Sequence, residues 1–367
     1  IGGWINAIIP ILIVPYYSVI GGWVIKYLIE YFAGHSKTLA GDAYFTTFIS
    51  NGWSTEICFI IFTLFTLGII YAGVRNGIER VSRFMMPILI VLSLIIAVYS
   101  VTRPGAIEGV KYFLVPNFDH FSWMTVVSAM GQMFYSLSIA MGILITFGSY
   151  MKKDTSIEKS TENVEIFDTA IAIMAGLMII PAVFAFSGGN AETLKSGPAL
   201  MFITIPKVFA NMGFGTAIGI VFFLLVLFAA VTSSIALTES AVSTFEDELH
   251  WSRKKSTVFM GMVMLLLGTL SCLGYGPLAN FKILGMQFLD FFDFITNSVM
   301  MPIAAIATCL LVSKVVGVDK IEEEIKKDGQ AFRRKKIFCF MIKYLCPLFA
   351  AIILISSVAN AFGIITM

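Results

Sequence analysis

The chain has 367 residues, 58% hydrophobic and only 13% charged, against roughly 25% charged in a soluble domain. That composition excludes a soluble globular protein, and a net charge of +2 gives no reason to expect a nucleic-acid partner. Five scattered cysteines without a CxxC pair argue against a disulfide framework or a transition-metal site.

Several uncharged runs approach or exceed the ~20 residues that a bilayer core requires. In chain order, nine spans are predicted at 3–32, 54–73, 80–100, 123–151, 163–187, 214–246, 256–275, 286–314 and 337–364. The third follows "RNGIERVSRFMMP" and can reach back to Gly77. The first, fourth, sixth and eighth are long enough to require tilt or a break. No cleavable signal peptide is visible, and Ile1 already lies in an apolar run, so the start of the protein is expected upstream.

Lys and Arg set the orientation. Of 25 such residues, 17 fall after the second, fourth, sixth and eighth spans and 6 after the first, third, fifth and seventh. The first set is therefore cytoplasmic, and the first span runs outward. "SKVVGVDKIEEEIKKDGQAFRRKK" reads as a solvated cytoplasmic linker with a short helix. Outside, "GAIEGVKYFLVPNFDHFSW" and "GGNAETLKSGPALMFITIPKVFANMGFG" mix Gly, Pro and aromatics, as structured caps do.

Polar groups at membrane depth are costly and mark function. Asp168 lies early in the fifth span, and Asp290 and Asp293 open the eighth, three apart and so on one face. "FAAVTSSIALTES" places Thr232, Ser233 and Ser234 near the middle of the sixth. A lone hydroxyl there ordinarily bonds back to a carbonyl one turn earlier. A cluster of three favours a cation site instead, because hydroxyls and freed carbonyls replace a hydration shell without burying net charge. "GQMFYSLSIAMG", Gly131 to Gly142, brackets hydroxyls with glycines inside the fourth span. Broken backbone at this depth is tolerated where it lines a cavity, and secondary transporters bind substrate and coupling ions at such breaks.

Eight stretches in order, "VPYYSVIGGW", "ERVSRFMMPIL", "EGVKYFLVPNF", "GQMFYSLSIAMG", "GPALMFITIPKVF", "FAAVTSSIAL", "FEDELHWSRKK" and "FLDFFDF", make the chain resemble the neurotransmitter:sodium symporter family, specifically its bacterial sodium-dependent amino-acid transporters. The resemblance implies an all-α polytopic membrane protein with two inverted five-helix repeats, the LeuT-like transporter fold. Residues 1–100 would be three spans of the first repeat, 101–122 an extracellular loop, 123–314 the complete second repeat with its helix broken near 136–142, 315–336 a linker and 337–367 the last span. Two further family spans are then expected ahead of Ile1. Because they carry much of the family's sodium and carboxylate sites, the chain by itself is not expected to transport.

By the same resemblance, Tyr17 contacts the substrate carboxylate, and Tyr135, usually Phe in the family, forms a lid. Ile13, Ser138, Met141, Ser234 and Leu237 shape the substrate pocket, with Ala140 at a position that is often Gly. Ser136 and Asp168 ligate a first sodium; the Ala229 carbonyl, Thr232 and Ser233 ligate a second. Asp293 belongs to an outer gate, and Asp247 with Ser149 and Tyr150 to an inner one. Gln132 matches a chloride-region residue, but Ala172 stands where animal members carry a serine, which implies that chloride is not required. None of Ile13, Tyr135, Met141 and Leu237 is charged, so a neutral, hydrophobic amino acid is the expected cargo.

The function expected is therefore sodium-coupled amino-acid symport across the bacterial inner membrane. The residues leave no oligomeric state favoured. A channel would need repeated polar faces on several spans, whereas the polar groups here cluster at one depth. An intramembrane enzyme would need a mid-span His or an HExxH, and neither occurs. A truncated, non-transporting sensor of the same fold is the alternative.

Overall fold

The computed structural model describes residues 2–194, 197–327 and 332–363. Lys195 of the outer loop, the middle of the cytoplasmic linker at 328–331 and the chain end at 364–367 lie outside the described residues.

Among the described residues, eight helices are long and apolar enough to cross a membrane. They are α1 (Gly2–Phe32), α2 (Gly52–Tyr71) and α3 (Val74–Val101), then α6 (Ile157–Ser187), α7 (Gly215–Leu249), α8 (Arg253–Leu273), α9 (Phe288–Val316) and α10 (Lys335–Ala361). Between α3 and α6 lie two short helices, α4 (Trp123–Ser136) and α5 (Ile143–Ser149). The fourth predicted span, 123–151, is thus two pieces, neither long enough to cross alone. α3 begins earlier than expected, because a π-helical turn at Val74–Glu79 runs directly into it. α6 likewise starts six residues early, capped by the Ser156 side chain.

α1 is the centre of the fold. Its most apolar window is 67% buried, against 11% for α10. It packs against α2, α7, α8 and α9. Close approach to α2 requires glycine at Gly22, where a Cβ would stand 2.7 Å from the Phe59 backbone nitrogen. Toward the outer side, Trp23, Tyr27, Phe45 and Phe202 meet edge-on or stacked with centroids 5.0–5.8 Å apart. The Tyr27 hydroxyl donates to the Phe202 carbonyl at 2.7 Å. Phe45 and Phe202 come from outer-loop helices at Tyr44–Ser50 and Gly197–Ala210, so the loops cap the bundle by inserting aromatic rings into it.

Candidate functional site

α4 opens with a reciprocal capping box between Ser122 and Thr125 and stops at Ser136. Ser138, Ala140 and Gly142 then adopt φ of +54°, +61° and +73° before α5 resumes. Two of the three are not glycine, and each costs roughly 1–2 kcal/mol in this left-handed region. Such strain persists only where surrounding contacts over-determine it. Gly142 shows those contacts. A Cβ there would lie 2.7 Å from Ser240 Oγ on α7 and 3.0 Å from the Asn6 carbonyl on α1. The break is wedged between the two most central helices.

Beside the break is a cavity of about 440 Å³. α1 contributes Tyr17 and α3 contributes Met86; Gln132, Tyr135 and Ser136 come from α4, and Ser138 and Met141 from the break. α7 closes it with Thr232, Ser233, Ala236 and Leu237. The side chains of Tyr17 and Ser233 meet at its edge. No lining side chain is charged. Nine of the residues singled out in the sequence, Gln132 among them, thus share one space. Ile13 and Ser234 do not line it. Both are 0% exposed and stand behind the wall, where Ser234 Oγ accepts a hydrogen bond from Thr66 on α2 at 3.3 Å. Met86 carried no sequence signal, being one more apolar residue in an apolar run.

At one rim, Ser136 donates to Asp168 Oδ1 on α6 at 2.5 Å, which joins the end of α4 to the acid singled out early in that helix. At the other, the Thr232 hydroxyl donates to the carbonyls of Phe228 and Ala229, both at 3.0 Å. The ordinary back-bond therefore forms here. It uses the hydroxyl proton and leaves the oxygen lone pairs for a cation.

On the α5 side of the break a second cavity, about 320 Å³, is lined by Asn6, Gly142, Thr146, Ser240 and Asp247 among others. Ser149 turns back to the Thr146 carbonyl at 2.7 Å. Tyr150 reaches instead to Glu239 at 2.7 Å. Glu239 is 0% exposed and takes both arms of Arg253, at 3.0 and 2.5 Å; Arg253 Nε also donates to the Ile70 carbonyl at 2.9 Å. Sequence reasoning missed this ion pair. Its only signal was a lone Glu two turns before the acidic end of α7, with the Arg of "HWSRKK" as an available partner. At the start of α9, Asp293 accepts from Tyr16 at 3.2 Å and from Asn297 at 2.6 Å, while Asp290 accepts from Tyr275 at 3.0 Å.

The sequence profile of the Sodium:neurotransmitter symporter family matches residues 30–364. The chain belongs to that family. The symporter chain is 33% identical, over 99% of its own length and 80% of the relative's, to the uncharacterized sodium-dependent transporter YhdH of Bacillus subtilis (strain 168). It is 30% identical to an uncharacterized sodium-dependent transporter of Haemophilus influenzae, over 94% of the chain and 76% of the relative. The structure is similar to the crystal structure of MhsT in complex with L-phenylalanine, with a TM-score of 0.84 at 32% identity, covering 97% of this chain and 80% of that one. The fold is thus that of the LeuT-like transporters, and the symporter is a multi-pass membrane protein that carries out sodium-coupled transport, not an enzyme.

Proposed function

We propose that the protein takes up a neutral, hydrophobic amino acid together with sodium across the bacterial inner membrane, by alternating access around the break between α4 and α5. The observation that carries this reading is the 440 Å³ cavity at the break, which is walled without a charged side chain and has hydroxyls at both rims. Its size falls within the range for small-molecule sites. A charged cargo side chain would be buried there unpaired, at a cost of several kcal/mol. MhsT, solved with L-phenylalanine, supports an apolar amino acid.

In this reading Tyr17 holds the substrate carboxylate and Tyr135 covers the substrate. Met141, Leu237 and Ser138 contact its body, and Ile13 and Ser234 support the wall from behind. Ser136 and Asp168 form one sodium site; the Ala229 carbonyl, Thr232 and Ser233 form another. Asp293 works at the outer gate and Asp247, Ser149 and Tyr150 at the inner. Residues 123–314 act as one inverted repeat against 1–100. Chloride is not required.

The test is uptake of labelled phenylalanine and leucine into proteoliposomes holding the full-length gene product, with lysine and glutamate as charged comparators. Uptake of the neutral pair that vanishes when choline replaces sodium, and persists when gluconate replaces chloride, is the expected result. Sodium-independent uptake overturns the coupling, and preferred lysine or glutamate uptake overturns the cargo assignment. A protein that binds phenylalanine without moving it favours the sensor reading.

A further inference from the structure

A third cavity, about 390 Å³, lies between α2, α3 and α7, back to back with the substrate site: Val231 and Met85 line it where their chain neighbours Thr232 and Met86 line the other. Its floor and walls are Phe65 of α2, Phe84 of α3 and Leu227, Phe228 and Val231 of α7, and Arg80 is its one charged lining residue. Phe65 and Phe84 are 54% and 66% exposed, so the groove opens sideways toward the bilayer. Arg80 takes part in no ion pair among the described residues, whereas Arg83, one turn on, is neutralised by Glu79 at 2.6 Å.

An unpaired guanidinium beside hydrocarbon is costly unless it meets an anion. On the cytoplasmic side, the anion at that depth is a lipid phosphate, which a guanidinium matches with two parallel hydrogen bonds. We propose that this groove binds an anionic glycerophospholipid of the cytoplasmic leaflet, with Arg80 on its phosphate and an acyl chain laid across Phe65, Phe84 and Phe228. The face of a second copy would fill the apolar floor but leave Arg80 unpaired, so charge complementarity selects the lipid. Lys254 over the Tyr71 ring and Lys255 over Trp251, at 5.7 and 3.9 Å, continue the basic and aromatic rim along the same end of the bundle.

Native mass spectrometry of the protein carrying phosphatidylglycerol or phosphatidylcholine tests this. Losing one basic contact worth about 1 kcal/mol lowers lipid affinity about five-fold, so Arg80→Gln should retain correspondingly less phosphatidylglycerol and an unchanged, low amount of phosphatidylcholine. Arg80→Lys should restore most of the difference. Arg83→Gln, with the same change in net charge, should match the wild type. Equal phosphatidylglycerol retention by Arg80→Gln, or an equal loss in Arg83→Gln, overturns the site. A drop in copies per particle with lipid retention unchanged assigns the groove to a second copy and overturns it as well.

Discussion

α1 and the α4/α5 pair sit on either side of the substrate cavity and are built in opposite ways. α1 is one unbroken helix with Ile9, Ile13, Val19 and Tyr27 completely buried, and it meets α2 at backbone contact distance. α4 has no buried residue, and its continuation is interrupted by three left-handed residues. Segments with few buried contacts open at lower free energy than the core they lean on. The lesson is a division of labour: one wall is held by packing, and the other is left with polar contacts that a cargo or ion can compete for.

The sharpest way to break this contrast is at Tyr150, where the end of α5 is tied to the scaffold through Glu239 and Arg253. Arg253→Met leaves Glu239 buried and unpaired, which should cost about 3 kcal/mol or more. Adding Glu239→Gln should recover most of that loss. Thermal unfolding in detergent measures both, and a double variant no better than the single removes the pairing argument.

Packing on the α1 side comes next. Gly22→Ala drives a methyl group into the backbone at Phe59 and should cost about 1–3 kcal/mol, read as lower thermal stability. Unchanged stability would mean that α1 and α2 separate easily and that the rigid wall is not rigid.

A smaller effect on stability, but a larger one on function, is expected from Asp168→Asn. It preserves shape and removes the charge that accepts from Ser136. The charge belongs to the proposed sodium site, so sodium half-saturation should rise roughly ten-fold, equivalent to about 1.4 kcal/mol, whereas the bond from Ser136 is solvent-exposed and its loss should move stability by less than about 1 kcal/mol. The reverse pattern would make the α4–α6 contact structural.

The smallest effect lies outside both walls. Hydrogen bonds from Lys326 and then Lys335 hold the Glu322 carboxyl below its ordinary value of 4.5. A lowered folded-state pKa adds stability that is complete above 4.5 and is lost as the pH falls through the lowered value. Glu322→Gln should therefore lower stability slightly near neutrality, flatten the acid side of the profile and match the wild type at pH below the lowered value. A difference between the two proteins that persists undiminished in acid would contradict this.

Much of the architecture was legible before any coordinates, because a span announces itself as a continuous apolar run. The break was legible too, since glycines around hydroxyls at membrane depth make poor helix. The inner ion pair was not. Glu239 and Arg253 belong to different helices, and a lone acid near a helix end reads as solvated until its neighbour is known.

The sequence by itself determined the order of the spans, the place of the break and the apolar character of the cavity, because each depends on residues close together in the chain. Only the tertiary structure decided which of two adjacent hydroxyls faces the cavity. Ser233 lines it, while Ser234, one residue and about 100° further round the helix, is sealed against Thr66. A helix sets that angle between neighbours, but the direction in which each points is set by the packing of α1, α2 and α7 around it.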